Sequence, residues 1–250
     1  MLLVSLLLVN RSSVMTNPTA KQEHVKAMFN DIAPRYDFLN HLLSFGIDKL
    51  WRKRLIKGVL MHNPQKVLDV ATGTADLAIA LARKNSVVHV DGVDIADKMV
   101  SIGREKLVKK QLDNRVTLSI ASAEYMPFND SVYDAAMVAF GVRNFEDPLA
   151  GLQQIFKVLK KGGTINILEF TTPKLFLVKQ VYRFYFTKVL PFVGKKVSGH
   201  SSAYTYLPNS VKHFKEREGF VDLLNQAGFS NAHYQIQSFG IAAIYRAQKL

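Results

Sequence analysis

The 250-residue chain contains no cysteine. Disulfides, thiolate metal sites and a cysteine nucleophile are therefore excluded. No cluster of His, Asp and Glu has metal-ligand spacing. Acids are scarce beside bases, 20 against 33, which leaves a net charge of +13. That balance suits an anionic partner, either nucleic acid or a membrane surface, or it is simply a basic soluble surface. Nucleic acid is disfavoured, because the chain has no aromatic stacking platform and no dense Arg/Lys tract. Long apolar runs are also missing. Leu2 to Val9 falls far short of the roughly 20 residues that span a bilayer. It lacks the charged start and the cleavage site of a secretory signal. Residues 1–20 are expected to be a disordered or mis-assigned tail, with Met15 an alternative start. No repeat or low-complexity tract is visible.

What is present is ordinary globular composition, 48% apolar and 21% charged. This length supports one α/β core with small additions. Gln22 to Leu60 reads as helices broken at Ala33-Pro34 and at Ser44-Phe45-Gly46, with Asp48 the expected N-cap of the later helix. Met28, Phe29 and Ile32 form one apolar stripe, and Trp51, Leu55 and Val59 another. Strands and helices then alternate: strand Val67–Val70, helix Leu77–Lys84, strand Val87–Val93, helix Asp97–Lys110, and strands Val116–Ile120 and Ala135–Phe140. Asp147-Pro148 opens the next helix, with Lys160 and Lys161 expected in its last turn and Gly162 ending it. Strand Thr164–Phe170 follows. Such alternation predicts a mostly parallel sheet covered on both faces. Residues 172–214, rich in aromatics and lysine, break the rhythm and read as an inserted lid. A helix at Arg217–Ala227 and a hairpin at the sheet edge, near Tyr234–Gln237 and Ile241–Arg246, complete the pattern.

The run from Lys66 to Asp94 carries the first functional signal. An apolar strand enters the turn Ala71-Thr72-Gly73-Thr74-Ala75, a helix follows, and a second strand ends on Asp94. Backbone can approach a ligand at such a turn, and a carboxylate at the strand tip can accept ribose hydroxyls. Gly73 is the only glycine in the turn, whereas a dinucleotide fingerprint needs three. The spacing Asp69-x-x-x-Gly73-x-x-Asp76, with Asp94 beyond, looks like the S-adenosylmethionine-dependent methyltransferase fold. On that reading Asp69 faces the methionine amino group and Thr74 lines the carboxylate and sugar. Asp94 takes the ribose, and Ser122, Ala123 and Glu124 lie beside the adenine. The competing reading is a plain tight turn with Asp94 capping a helix.

Longer stretches narrow the choice. MFNDIAPRYDFLNHLLSFGIDKLWRKRL, AEYMPFNDSVYDAAMVAFGVRNFEDPLAGLQQIFKVLKKGG, ILEFTTP, LPFVGKKVSGHSSAYTYLPNSVKHF and QAGFSNAHY together resemble the ubiquinone/menaquinone biosynthesis C-methyltransferase family. The resemblance runs in order from Lys21 to Lys249. It implies a Rossmann-like, seven-stranded, mostly parallel α/β sheet within one domain, residues 21–250, with a helical cap at 21–62 and the lid at 172–214. The implied activity is C-methylation of a polyprenylated quinol, demethylmenaquinol first and the ubiquinone-pathway quinol as the alternative. A methyltransferase for another small aromatic or lipid acceptor is a further reading. The implied cofactor is S-adenosylmethionine, and no metal is needed. A homodimer is expected from the resemblance alone, and a cytoplasmic location with peripheral membrane contact from the substrate and the basic, aromatic run Phe176 to Val197. The chain departs from the family at Thr72, Ala75 and Ala139. Ala75 still permits the turn if its φ is negative.

Carbon attacks a methyl donor well only when the quinol is ionised, so the site must stabilise a phenolate. Arg143 and Asn144, after the strand ending at Phe140, stand where acceptor meets donor. Arg143 either holds the phenolate or pairs with Glu146 or Asp147 to fasten the loop. Tyr36 either closes the substrate pocket or packs in the core. Asp37 is a candidate base or an exposed helix acid. His200, Tyr204 and Tyr206 read mainly as lid packing.

Overall fold

The computed structural model describes residues 18–189 and 202–250. The expected tail, apart from residues 18–20, and His200 lie outside the described residues, as do the side chains of 202–205. The N-terminal part consists of α1 (Ala20–Ile32), a short 3-10 turn at Ala33–Arg35, α2 (Tyr36–Leu43) and α3 (Ile47–Val59). The breaks fall where the sequence placed them. Asp48 is not the cap of α3, however. Gly46 occupies that position at φ +72°, and Asp48 is buried in the first turn, accepting from Ser44 Oγ at 2.7 Å.

The alternating part comprises β1 (Lys66–Val70), α4 (Asp76–Lys84), β2 (His89–Asp94), α5 (Asp97–Lys109), β3 (Val116–Ile120), β4 (Tyr133–Ala139), α6 (Pro148–Val158) and β5 (Leu159–Phe170). Between β5 and the last helix lie α7 (Phe176–Phe184), a π-helical turn at Tyr185–Val189 and α8 (Ser202–His213). Helix α9 (Glu218–Gln226) and the antiparallel pair β6 (Ser230–Gln237) and β7 (Ala242–Gln248) close the chain.

The strands form one sheet in the order β3-β2-β1-β4-β5-β7-β6. Strands β1 to β5 pair in parallel, and only β7 runs against its neighbours. The expected fold class is therefore observed. Alternate residues face opposite cores, as strand geometry requires. Val67, Ala135 and Met137 join α3 and α4 on one face, while Leu68, Ala136 and Val138 join α6 and α9 on the other.

Helix α6 opens on the expected Asp147 cap, whose carboxylate accepts from the Leu149 and Ala150 N–H groups, but it stops at Val158. Lys160, Lys161 and Gly162 belong to an irregular start of β5, where the register jumps from Leu159 to Thr164. Lys160 there pairs with Asp134, 2.6 Å away. Strand order reverses between β1 and β4. In open parallel sheets a ligand crevice opens at such a switch point, beyond the carboxyl ends of the strands.

Candidate active site

Two turns flank the switch point. The turn after β1 is held by its own backbone, with Thr72 N–H donating to Val93 C=O and Ala75 N–H to Thr72 C=O, each at 3.0 Å. Gly73 takes φ +57°. Ala75 takes φ +64°, so the turn forms without the negative angle on which it was conditioned. A left-handed alanine costs roughly 1 kcal/mol. Its methyl is fully buried beside Gly103, so packing contributes in return. The Asp94 carboxylate accepts from Gly73 N–H at 2.8 Å and from Ala96 N–H at 2.9 Å, which ties the strand tip to the turn. Burial nevertheless pushes its pKa up.

Asp94 opens onto a cleft, and so do Gly73, Ser122, Ala123 and Glu124. Helix α1 forms a wall of that cleft through Gln22, Val25 and Phe29. It is fastened by Asn30 and Lys26 to Asp97, and by Thr19 to Glu146. Glu124 serves structure, accepting from the Glu146 N–H at 2.8 Å. Asp69 and Thr74 line a smaller crevice on the other side of the turn rather than the main cleft. Asp69 is buried, accepts from Thr72 Oγ1 at 2.7 Å, and is pushed up to about 7 by desolvation. Thr74 Oγ1 donates to Asp37, and Lys106 pairs with Asp37 at 2.9 Å and also with Asp76. Asp37 thus latches α2 to the turn after β1 and lines that smaller crevice.

A second cavity adjoins the cleft, has a volume of about 300 Å³ and is mostly apolar. Tyr36, Phe29 and Phe140 line both spaces, so Tyr36 stands at their junction. Burial pushes its phenol up in pKa. Phe140 and Phe170 stack at 4.5 Å, with Trp51 against both. Phe140 has φ +60°, an outlier for a bulky residue and of the kind that collects at functional sites. Arg143 holds that turn, with Nη1 donating to Phe140 C=O at 2.6 Å and to Glu169 Oε1 at 2.5 Å. Asn144 Nδ2 reaches the same carbonyl at 3.4 Å, and its Oδ1 accepts from Tyr206 at 3.1 Å. The partner of Arg143 is thus Glu169, not Glu146 or Asp147. Glu169 is fully buried, and burial raises its pKa while Arg143 opposes the shift.

The sequence reading missed Glu169, Arg52 and Tyr182. An acid inside the apolar strand ILEF was a legible sign of a buried charge pair. Arg52 and Tyr182 sit in amphipathic helices, where nothing distinguishes them from surface residues. No group of acidic or histidine side chains that could hold a metal occurs among the described residues.

The ubiE/COQ5 methyltransferase family matches residues 17–249. The chain belongs to that family. A Geobacter sulfurreducens relative named ubiquinone/menaquinone biosynthesis C-methyltransferase UbiE is 44% identical, over 96% of this chain and 94% of its own. A Bacteroides fragilis demethylmenaquinone methyltransferase is 41% identical, over 94% and 96%. Among solved structures, a SAM-dependent methyltransferase of Thermotoga maritima superposes with a TM-score of 0.62 at 18% identity, over 90% of this chain and 99% of the other. The cyclase SpnF gives 0.62 at 16%, over 93% and 98%, which shows that the fold alone does not specify the chemistry. The fold of this ubiE/COQ5 member is that of S-adenosylmethionine-dependent methyltransferases.

Proposed function

We propose that this protein transfers a methyl group from S-adenosylmethionine to a ring carbon of a polyprenylated quinol, with demethylmenaquinol the first candidate and the ubiquinone-pathway quinol the second. One observation carries the reading. A cleft with a fixed carboxylate at the β2 tip adjoins, at Tyr36, an aromatic, apolar cavity of about 300 Å³. The relatives named above bear the corresponding names.

The cleft fits the donor. Asp94 keeps unused lone pairs for ribose hydroxyls because its two hydrogen bonds to backbone N–H leave each oxygen further capacity. Gly73 carries no side chain, and the nearest neighbour to the place of a Cβ is Tyr36 at 3.9 Å, so the turn leaves room for a ligand. Ser122 and Ala123 offer a wall for the adenine, while Asp69 and Thr74 stand beside the turn for the methionine end. The donor supplies its methyl as an electrophile on a positively charged sulfur. The protein's part is alignment and charge. The quinol would lose a hydroxyl proton and its ring carbon would form the new C–C bond as the donor's S–CH3 bond breaks, with neutral S-adenosylhomocysteine leaving; the ring carbon would then lose its own proton while the oxygen regains one. One proton is released in total. Arg143 places positive charge beside the acceptor, although Glu169 takes up part of it. Asn144 orients a ring oxygen, and Tyr36 closes the junction against water. Helices α7 and α8 act as a lid over the acceptor, and the N-terminal helices act as a cap over the donor. Peripheral membrane contact belongs to the same proposal, because a prenylated substrate resides in the bilayer. No helix among the described residues is long and apolar enough to cross a membrane. The homodimer rests on the family resemblance alone.

The test is methyl transfer from labelled donor to reduced, prenylated demethyl-naphthoquinol and to the matching benzoquinol in detergent. Product from the naphthoquinol supports the first candidate, and product from both rings means dual use. Donor binding without product from either ring refutes the substrate. Arg143→Ala must be combined with Glu169→Gln, because the single change strands a buried carboxylate at a cost of about 3–5 kcal/mol. The double variant is expected to stay folded and to lose most of its rate.

A further inference from the structure

We propose that Arg52 and Tyr182 are two hydrogen-bonding poles of the acceptor cavity, each receiving one oxygen of the acceptor ring. The inference rests on the quinol reading above and names how that ring is held.

Buried polar atoms in folded proteins nearly always have a partner, so exceptions need a reason. Among the described residues, Arg52 Nε and Tyr182 OH are buried side-chain atoms without a hydrogen bond. They come from different elements, α3 and α7, yet both residues line the same apolar cavity. A hydrocarbon ligand would leave both atoms unsatisfied, whereas a ring bearing two oxygens satisfies both.

The two arginines at this cavity are not equivalent. Arg143 has committed Nη1 to Glu169 and Phe140 C=O, and Nε to Ser210 Oγ at 3.3 Å. Arg52 has a nearby carboxylate in Asp48, whose Oδ2 lies 3.5 Å from Nε without forming a hydrogen bond. Asp48 is already engaged by Ser44 Oγ and His41 Nδ1. Arg52 is ion-paired with Asp48 yet keeps further donor capacity, and its guanidinium lies 5.7 Å from the Phe140 ring centre, in the cavity lining. It also lines the crevice beside the cofactor turn, so it meets the oxygen on the donor side. Tyr182 lines the acceptor cavity from α7 and stacks on Phe186 at 4.1 Å, which fixes its ring. Burial raises its pKa and keeps the phenol protonated, a donor for the second oxygen. Arg52 takes no proton, since a guanidinium stays charged. It holds the phenolate left when the quinol proton is released.

Full-length variants test this beside the wild type, in the methyl-transfer assay with a reduced prenylated quinol. Tyr182→Phe should raise the quinol KM about threefold to tenfold, the loss of one hydrogen bond. Its thermal midpoint should stay level or rise, because an unsatisfied hydroxyl is removed. Arg52→Gln, made in an Asp48→Asn background so that no buried carboxylate is stranded, should lower kcat about 100-fold relative to Asp48→Asn alone, the usual effect of removing one donor to a developing oxyanion. It should also move the rising limb of the pH–rate profile to higher pH, since the bound quinol then ionises less readily. Arg52→Lys should recover part of the rate and of that shift. An unchanged KM with a lowered midpoint in Tyr182→Phe would show a structural hydroxyl and overturn its role. A pH limb that stays in place in Arg52→Gln would overturn the role of Arg52. A wild type that binds donor but methylates no quinol would instead remove the substrate reading, and this inference with it.

Discussion

Asp69 shows how a single residue couples the site to stability. It lies in β1, 1% exposed, with Thr72 Oγ1 donating to it. Burial pushes its pKa up to about 7. In the unfolded chain an aspartate titrates near pH 4. Between about pH 4 and 7 the folded state therefore holds a proton that the unfolded state has lost. Stability then falls as pH rises through that window, by at most about 1.4 kcal/mol per pH unit, and the cost is complete above it. Asp69→Asn keeps an acceptor for Thr72 and removes the titration. The variant should be more stable than wild type at pH 8, and the gap should close by about pH 4. Denaturant unfolding at a series of pH values measures it. Asp94 and Glu169 are raised with the same sign and steepen the wild-type slope, so only the difference between the two proteins isolates Asp69. An Asp69→Asn variant that is no more stable than wild type at pH 8 would mean that Asp69 is ionised in the fold, paired with a cation such as Arg52.

At the scale of elements, the site depends on two turns packed against each other. A Cβ on Gly141 would lie 2.5 Å from Ala71 Cβ and 3.1 Å from Val138 Cγ1. Neither neighbour is the far end of a flexible chain, so the turns after β1 and β4 must part. Gly141→Ala should cost about 1–3 kcal/mol by overpacking. It should also weaken donor binding, because the Gly73 turn moves with Ala71; melting and calorimetric titration read the two effects. A variant with wild-type affinity would show that the turns move independently. This contact also marks where the sequence stopped being legible. Strand and helix order, the Asp147 cap and the Asp94 tip follow from periodicity and local chemistry, and all appear in the fold. The Gly141–Ala71 approach, the Arg143–Glu169 pair and the Asp37–Thr74 latch join residues far apart in the chain, and local pattern carries no information about them. Ala75 and Phe140 were illegible for another reason. Their left-handed backbone is imposed by tertiary packing against intrinsic preference. Lys160 to Gly162 read as a helix end because lysines followed by glycine have that form, yet they lie in the irregular start of β5, where Lys160 pairs with Asp134.

At the scale of the whole molecule, the charge of +13 and the acceptor cavity have to be read together. Helix α7 turns Val178, Val181 and Tyr182 to the cavity, while Phe176 and Leu177 are 71% and 76% exposed on the same helix. Phe45, 80% exposed, lines the cavity from the α2–α3 turn and meets Tyr185 at 6.0 Å. Exposed apolar rings at a cavity mouth are costly in water and suit an interface. Lys179 and Arg183 lie on the same helix, and Lys188 follows in the next turn. Basic residues beside an anionic bilayer contribute about 1 kcal/mol each, and salt screens them over roughly 10 Å at 0.1 M. The protein should therefore sediment with anionic vesicles and much less with neutral ones, and added salt should weaken binding without abolishing it. Phe176→Ser with Leu177→Ser should release it from the vesicles while leaving turnover of a short-chain, water-soluble quinol near wild type. The split decides between two meanings of these exposed rings. If the double variant loses both activities equally, α7 is packing for the cavity, and the basic surface serves solubility alone. If only the membrane-borne substrate is lost, the rim of the cavity is where a prenylated quinol leaves the bilayer and enters the enzyme.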